Sequence, residues 1–344
     1  MQRFIILFSI LMSAVAMNVP GACAQNFRLG SPLIVPPPLP ELPIYQFMPD
    51  GHITYFKDGD NYQMYWAGEP SYRSCGADIF HQQNARAVLF KGEKGSYDNG
   101  GAWLYSVFHQ IGAAQKSALI GFYHAEDHEF AGDPDSHFIA WKSVALATSP
   151  DNGKTWAKQG QIISSARPKP DAPTWGGNGD FCVVRDEKNA RWICFYQEHF
   201  LCMAVSSDKQ ARPGTWRKYY SGAFAQSGFT EPGLGGRNSP IPSLQNVPGG
   251  NPSVHWNTFL QRWVIVWQQW ERGNLWMASS KNLTDWTQPK LLLAAQGDEK
   301  LWYPTVIGES DVVAGKNAML CYARFKNAVL SEREFLVRPI EFSK

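Results

Sequence analysis

Asp50, Asp180 and Asn251 each open a stretch of the same design. The stretches are Asp50-GHITYFKDGDNYQM-Tyr65-Trp66, Asp180-FCVVRDEKNARWIC-Phe195-Tyr196 and Asn251-PSVHWNTFLQRWVI-Val266-Trp267. Each runs from a short polar residue through a strand-like run and a polar turn into a second run that closes on an aromatic pair or Val-Trp. In an antiparallel hairpin, the start of the first strand and the end of the second lie at the same end. Asp50 and Asp180 are therefore expected on one edge. Glu69, Glu126, His199 and Trp270, each four residues past the start of a closing pair, belong with them. A carboxylic acid that protonates a leaving oxygen, and a second carboxylate that activates water or attacks a sugar carbon, are what cleavage of a glycosidic bond requires. A third charge nearby tunes the acid. A lone Asp before a strand usually caps a turn. Two at matched positions, one of them closing the glycine-rich GGNGD (176–180), mark Asp50 and Asp180 as candidate catalytic residues.

Other groups fall near the same edge. His124, His199 and His255 come from successive repeats and are candidates for binding sugar hydroxyls or a metal, with Asp127 and Glu198 nearby. No metal-ligand spacing motif is present, so buried structural histidines are the competing reading. Trp175, Trp256 and Trp302 adjoin expected edge loops and are candidates to stack on sugar rings, burial between sheets being the alternative. Asn251 completes the substrate-facing set.

The repeat also says what must position these residues. A looser copy ends at Phe122-Tyr123, and another runs from Tyr303 to Cys321-Tyr322. After each hairpin comes a strand, a turn and a Trp: VALATSPDNGKTW to Trp156, LCMAVSSDKQARPGTW to Trp216, LWMASSKNLTDW to Trp286. The first contains Ser149-x-Asp151-x-Gly153-x-Thr155-Trp156, an Asp-box turn in which Asp accepts backbone N–H groups and Gly takes the unusual dihedral. Two successive hairpins make a four-stranded antiparallel sheet. About five such units fit between Asp50 and the C-terminus, and radial repetition of such sheets is a β-propeller. The expectation is an all-β, five-bladed propeller formed by residues 50–344 as one domain, with REFLVRPIEF (333–342) as a closing strand.

These hairpins, with the Ser279/Ser280–Leu283–Trp286 turn, resemble the five-bladed propeller glycoside hydrolases of the arabinanase, xylosidase and levansucrase-like superfamily, over roughly residues 50–325. The resemblance implies Asp50 as base or nucleophile and Asp180 as the carboxylate that tunes and positions. It also implies an acidic Glu near the start of the fourth blade, where this chain has Asn251-Pro252. Two residues are candidates for that acid: Glu126, in GFYHAEDHEF, and Glu231, in FTEPGLGG, with Glu126 preferred. No cofactor is required by this reading, although the resemblance admits a calcium ion in the central channel. Arabinan-like furanosides are the implied substrate. A non-catalytic carbohydrate-binding propeller and a sialidase-like hydrolase, the latter needing Arg73, Arg237 and Arg324 as a carboxylate clamp, are the alternatives.

Composition narrows the classes. The chain has 344 residues, 14 Trp and a formal net charge of +2, which gives no electrostatic case for nucleic acid or an anionic membrane. There is no Gly-x-Ser-x-Gly elbow, phosphate loop or His-Glu-x-x-His. Arg3, the apolar run Phe4 to Ala16 and Ala22-Cys23-Ala24 read as a signal peptide over residues 1–24, too short to span a bilayer. Lipidation of Cys23 is the minor alternative. Residues 25–49 (with PPPLPELP) read as an extended leader. The protein is thus expected to be secreted or periplasmic and to act on its glycan as a monomer. Five cysteines follow the signal, and Cys182 and Cys194 are expected to face each other across a hairpin, as a disulfide or as two buried thiols.

Overall fold

A computed structural model describes residues 26–36, 49–68, 70–129, 139–172, 174–326 and 333–344. The signal-peptide reading with Cys23, the proline run after Pro36 and Glu69 lie outside the described residues. Five antiparallel sheets stand around one axis as a five-bladed β-propeller. Strands β1 (Asn26–Leu29) and β2 (Leu33–Ile34) come first. Blade one is β3 (Thr54–Asp58), β4 (Asn61–Trp66), β5 (Ser71–Gly76) and β6 (Gln82–Leu89). Blade two is β7 (Gly101–His109), β8 (Leu119–Asp127), β9 (Trp141–Ser149) and β10 (Ala157–Ile163), with β11 (Gly176–Gly177) parallel beside β9. Blade three is β12 (Gly179–Asp186), β13 (Arg191–Glu198), β14 (Phe200–Ser206), β15 (Arg217–Tyr220) and β16 (Ala223–Ser227). Blade four is β17 (Gly249–Asn257), β18 (Arg262–Gln269), β19 (Leu275–Ser280) and β20 (Lys290–Leu293). Blade five joins β21 (Lys300–Ile307), β23 (Asn317–Phe325) and β24 (Arg333–Ser343) to β1, while β22 (Val313–Ala314) lies parallel beside β17.

The ring is closed by the first and last of the described segments. β24 is the expected closing strand, and β1 and β2 both pair with it, so the start of the leader is part of blade five. Alternation of side chains along the strands sends apolar residues to both faces of each blade. Five buried apolar clusters result, one between each pair of neighbouring blades.

A second ring lies nearer the axis. Thr54 Oγ1 accepts the Val107 N–H at 3.0 Å, and Ser106 Oγ accepts that of Val183 at 3.0 Å. The Cys182 sulfur accepts the Val254 N–H. Ser253 Oγ accepts that of Val306 at 3.4 Å, and Thr305 Oγ1 accepts that of Ile53 at 3.2 Å. Each inner strand thereby holds the next, once around the propeller.

This register corrects the cysteine expectation. Cys194 pairs with Val183, not with Cys182, whose partner is Phe195. One residue of offset turns the two sulfurs to opposite faces. Cys182 packs in the cluster between blades three and four, Cys194 in that between two and three, and both are free thiols.

The turns after the third strands repeat as well. Asp151 Oδ1 accepts N–H groups from Lys154 and Thr155 at 3.1 and 2.9 Å, while Gly153 sits at φ 74°. Asn282 Oδ1 does the same for Thr284 and Asp285 in blade four at 3.1 and 2.8 Å.

Candidate active site

Four of the five inner strands, those of blades two to five, lose their ladder for a residue or two at the same height. The register breaks between Leu104 and Ser106, Gly179 and Cys182, Gly250 and Ser253, and Trp302 and Thr305. Tyr105, Asp180, Asn251 and Tyr303 occupy these bulges, and the last three have left-handed backbones (φ 47°, 50° and 55°). A bulge re-aims its side chain away from the sheet faces. Here it turns a blade residue toward the mouth of the ring.

Asp50 reaches the same place from a different register. The turn between β3 and β4 is tighter, so Thr54 pairs with Tyr65 where Cys182 pairs with Phe195. By ladder, His52 is the counterpart of Asp180, and Asp50 stands two residues further out. The charges of both carboxylates nevertheless act on Tyr105. Its hydroxyl donates to the Asp50 carbonyl at 2.7 Å. Burial, then the charges of Asp180 and Asp50, push that hydroxyl's pKa well above the usual tyrosine range. Tyr303 responds in the same way to burial and to Asp50. Both phenols are thus neutral donors beside the carboxylates.

Both carboxylates have cationic partners. Arg333, 5 % exposed, places Nη2 3.2 Å from Asp50 Oδ1 and donates from Nη1 to the Pro49 carbonyl at 3.0 Å. Its guanidinium lies over Phe325 and Tyr303. Lys142, 2 % exposed, donates to Asp180 Oδ2 at 2.9 Å.

Behind Asp180 lies a network of imidazoles. The Asp180 N–H donates to His124 Nδ1 at 2.9 Å. Nδ1 is then the unprotonated nitrogen, and Nε2–H donates to Glu126 Oε1 at 2.9 Å. His128 Nε2 lies 2.7 Å from Glu126 Oε2. Burial pushes the Glu126 carboxyl up, but the hydrogen bonds from His124 and His128 outweigh it and hold it down at about 2. With both oxygens engaged and 6 % exposure, Glu126 has no proton to give and no free face toward a sugar. The structure thus corrects the preference for Glu126 as the acid.

Beside the mouth opens a cavity of about 280 Å³ lined by Lys142, Trp175, Gly176, Gly177, Gln197, Glu198, His199 and Trp270. Trp175 is 51 % exposed, with Lys142 Nζ 5.2 Å from its ring centre. His199 is exposed and meets Arg167 Nη2 at 3.0 Å through Nε2. Glu198 Oε1 accepts from Ser165 at 2.9 Å. Burial raises its carboxyl pKa, and hydrogen bonds from Asn178 and Ser165 with the charge of Lys218 hold it below the usual range. Lys218 binds the surrounding segments together, donating to Ser164 O, Asn178 Oδ1, Gly236 O and Asn238 Oδ1.

The remaining candidates separate. Glu231 is exposed in the loop that follows β16. Trp302 adjoins Tyr303 and packs on Phe325 at 4.8 Å, at the mouth but within an aromatic cluster. Trp256 is not at the mouth: it lies at the far end of β17, edge-on to Trp263. His255 is fully buried against Phe342 in the far half of β17 and is removed from the substrate set. No arginine clamp forms among the sialidase-like candidates. Arg324 is held by Glu334, Arg237 lies on Tyr220, and Arg73 is buried in β5.

A channel calcium needs six to eight oxygens. Asp50 and Asp180 face Arg333 and Lys142, and among the described residues no three His, Cys, Asp or Glu side chains are grouped to hold an ion. The donor set does not fit such an ion. Among the described residues, no helix is long and apolar enough to cross a membrane.

Lys142, Arg333, Tyr105 and Tyr303 were not singled out in the sequence. Tyr303 stood at a repeat start, so position alone would have found it. Lys142 and Arg333 carry no such mark.

No protein-family model matches the chain, and no curated protein does. Solved structures do. An α-L-arabinanase of Cellvibrio cellulosa, complexed with arabinohexaose, is 11 % identical with a TM-score of 0.54, over 84 % of this chain and 91 % of that one. A family 117 glycoside hydrolase of Zobellia galactanivorans is 10 % identical with a TM-score of 0.54, over 92 % and 90 %. An endo-arabinase of Bacteroides thetaiotaomicron is 11 % identical with a TM-score of 0.51, over 87 % and 96 %. At these identities the likeness is one of fold: the chain has the five-bladed propeller architecture of these glycoside hydrolases.

Proposed function

We propose that the protein is an exported glycoside hydrolase acting on a poly- or oligosaccharide, with arabinan-like furanosides the first class to test. The observation that carries this reading is that Asp50 and Asp180, from blades one and three, both stand beside Tyr105, whose hydroxyl bonds the Asp50 main-chain carbonyl and feels the charge of both carboxylates. Asp50, one-third exposed, is the base or nucleophile. Asp180, set by its bulge, Lys142 and His124, positions and tunes. Glu231 is the proton donor, since Glu126 is held by two imidazoles and Asn251 stands where the fold's acid is expected. Trp175 and Trp270 bound the cavity and offer sugar faces an apolar surface, with His199 and Gln197 for hydroxyls.

The ion pairs Asp50–Arg333 and Asp180–Lys142 favour a second reading, carbohydrate recognition without catalysis, in which both carboxylates serve as acceptors. Asp50→Asn separates the two. The mature protein is assayed on arabinan, galactan and fructan for released sugar and for binding. Hydrolysis that falls by about 100-fold or more in Asp50→Asn, with glycan binding retained, supports the hydrolase. Binding without turnover by the wild-type protein supports the second reading.

A further inference from the structure

We propose that His124, Glu126 and His128 are a positioning relay that fixes Asp180 through its backbone; this rests on the hydrolase reading of Asp180. The bulge between Gly179 and Cys182 takes the Asp180 N–H out of the β12–β13 ladder. A buried donor left without an acceptor costs about 1–3 kcal/mol. His124 Nδ1, on the neighbouring blade, takes that N–H at 2.9 Å. The bond sets the imidazole's tautomer and turns its Nε2–H onto Glu126, whose second oxygen is anchored by His128. The His124 ring stacks on Tyr105 with centroids 5.3 Å apart, and Tyr105 holds the Asp50 carbonyl. One buried ring thus registers both carboxylate-bearing segments. His124 is 1 % and Glu126 6 % exposed, so they act on Asp180 and not on a sugar.

The propeller supplies its own control. His124, Gln197 and Gln268 occupy one position in blades two, three and four, each following the aromatic that closes its hairpin: Tyr123, Tyr196 and Trp267. Gln268 Oε1 accepts the N–H of Tyr303, the bulge residue of blade five, at 2.9 Å. A glutamine therefore suffices to satisfy a bulge N–H across a blade boundary. At the bulge bearing Asp180 the acceptor is instead an imidazole backed by a carboxylate. That surplus over the structural need is what assigns the relay to Asp180's function.

The test is His124→Gln, which copies the blade-four solution, alongside Glu126→Gln. Expected are folded proteins with unchanged KM on the glycan the wild-type protein turns over, and kcat lower by roughly 10- to 100-fold. His124→Asn, whose amide oxygen can stand near Nδ1, recovers less than the wild-type rate because it cannot reach Glu126. Wild-type kcat in both glutamine variants overturns the relay. A readout independent of activity is the scalar coupling across the N–H···N bond from Asp180 to His124 in 15N-labelled wild-type protein, with the Nε2–H tautomer. Its absence also overturns the proposal. If the coupling is present and no glycan is cleaved, the relay stands and the hydrolase reading falls.

Discussion

At the residue scale, the site depends on small groups as much as on charged ones. A Cβ on Gly179 would lie 2.5 Å from His124 Cε1 and 2.8 Å from Nδ1. The imidazole cannot yield without breaking its bonds to Asp180 and Glu126. Gly179→Ala is therefore expected to cost about 1–3 kcal/mol of stability and to depress turnover; a urea midpoint and an assay at matched folded fraction check both, and a variant neutral in each would remove the close approach from the account. The position of Asp180 at the start of blade three was legible because its place in the repeat and the glycine-rich run before it are written in the chain. The role of Glu126 was not. Its chemistry depends on what its two oxygens meet, and the spacing of His124 and His128 does not say that each takes one of them. The spacing that places Asp50 with Asp180 holds only in part. The interval from Asp50 to Tyr65 matches that from Asp180 to Phe195, yet the shorter turn of blade one shifts the ladder by two residues.

At the element scale, periodicity carried the fold, and the hairpins pair as expected in blades one, three and four. It did not tell at which end of its strand Trp256 stands. Trp256 lies five residues beyond Asn251, about 16 Å along an extended chain, and so belongs to the opposite end of the ring. What the pattern hid altogether is the ring of Thr54, Ser106, Cys182, Ser253 and Thr305, because small polar residues in strands carry no strong signal. Their acceptors satisfy N–H groups that would otherwise be orphaned between blades. Ser106→Ala and Cys182→Ala are each expected to lose about 1–3 kcal/mol, whereas Cys182→Ser keeps an acceptor and stays near the wild-type value. Denaturant titration of the three variants decides it; an alanine variant as stable as Cys182→Ser would show that the ring contributes nothing.

At the scale of the whole molecule, stability and pH are tied by a histidine buried away from the mouth of the ring. His255 is fully buried between blades four and five, and among the described residues neither ring nitrogen meets a polar partner. Burial pushes its pKa down from 6.5 to about 3. The unfolded chain protonates this imidazole as pH falls below 6.5, while the folded protein does not until about 3. The unfolded state then binds more protons, so stability declines as pH falls through that window, by about 5 kcal/mol in full and about 3 kcal/mol by pH 4.5. Glu126, held at about 2 in the fold against 4.5, adds its own loss only below pH 4.5. The interval from pH 6.5 to 4.5 therefore isolates His255 from Glu126. His255→Leu keeps an apolar side chain of similar size beside Phe342 and carries no proton in either state. Its urea midpoint is expected to change far less between pH 7 and pH 4.5 than the wild-type midpoint does. Parallel decline of the two proteins would place the acid sensitivity elsewhere in the ring.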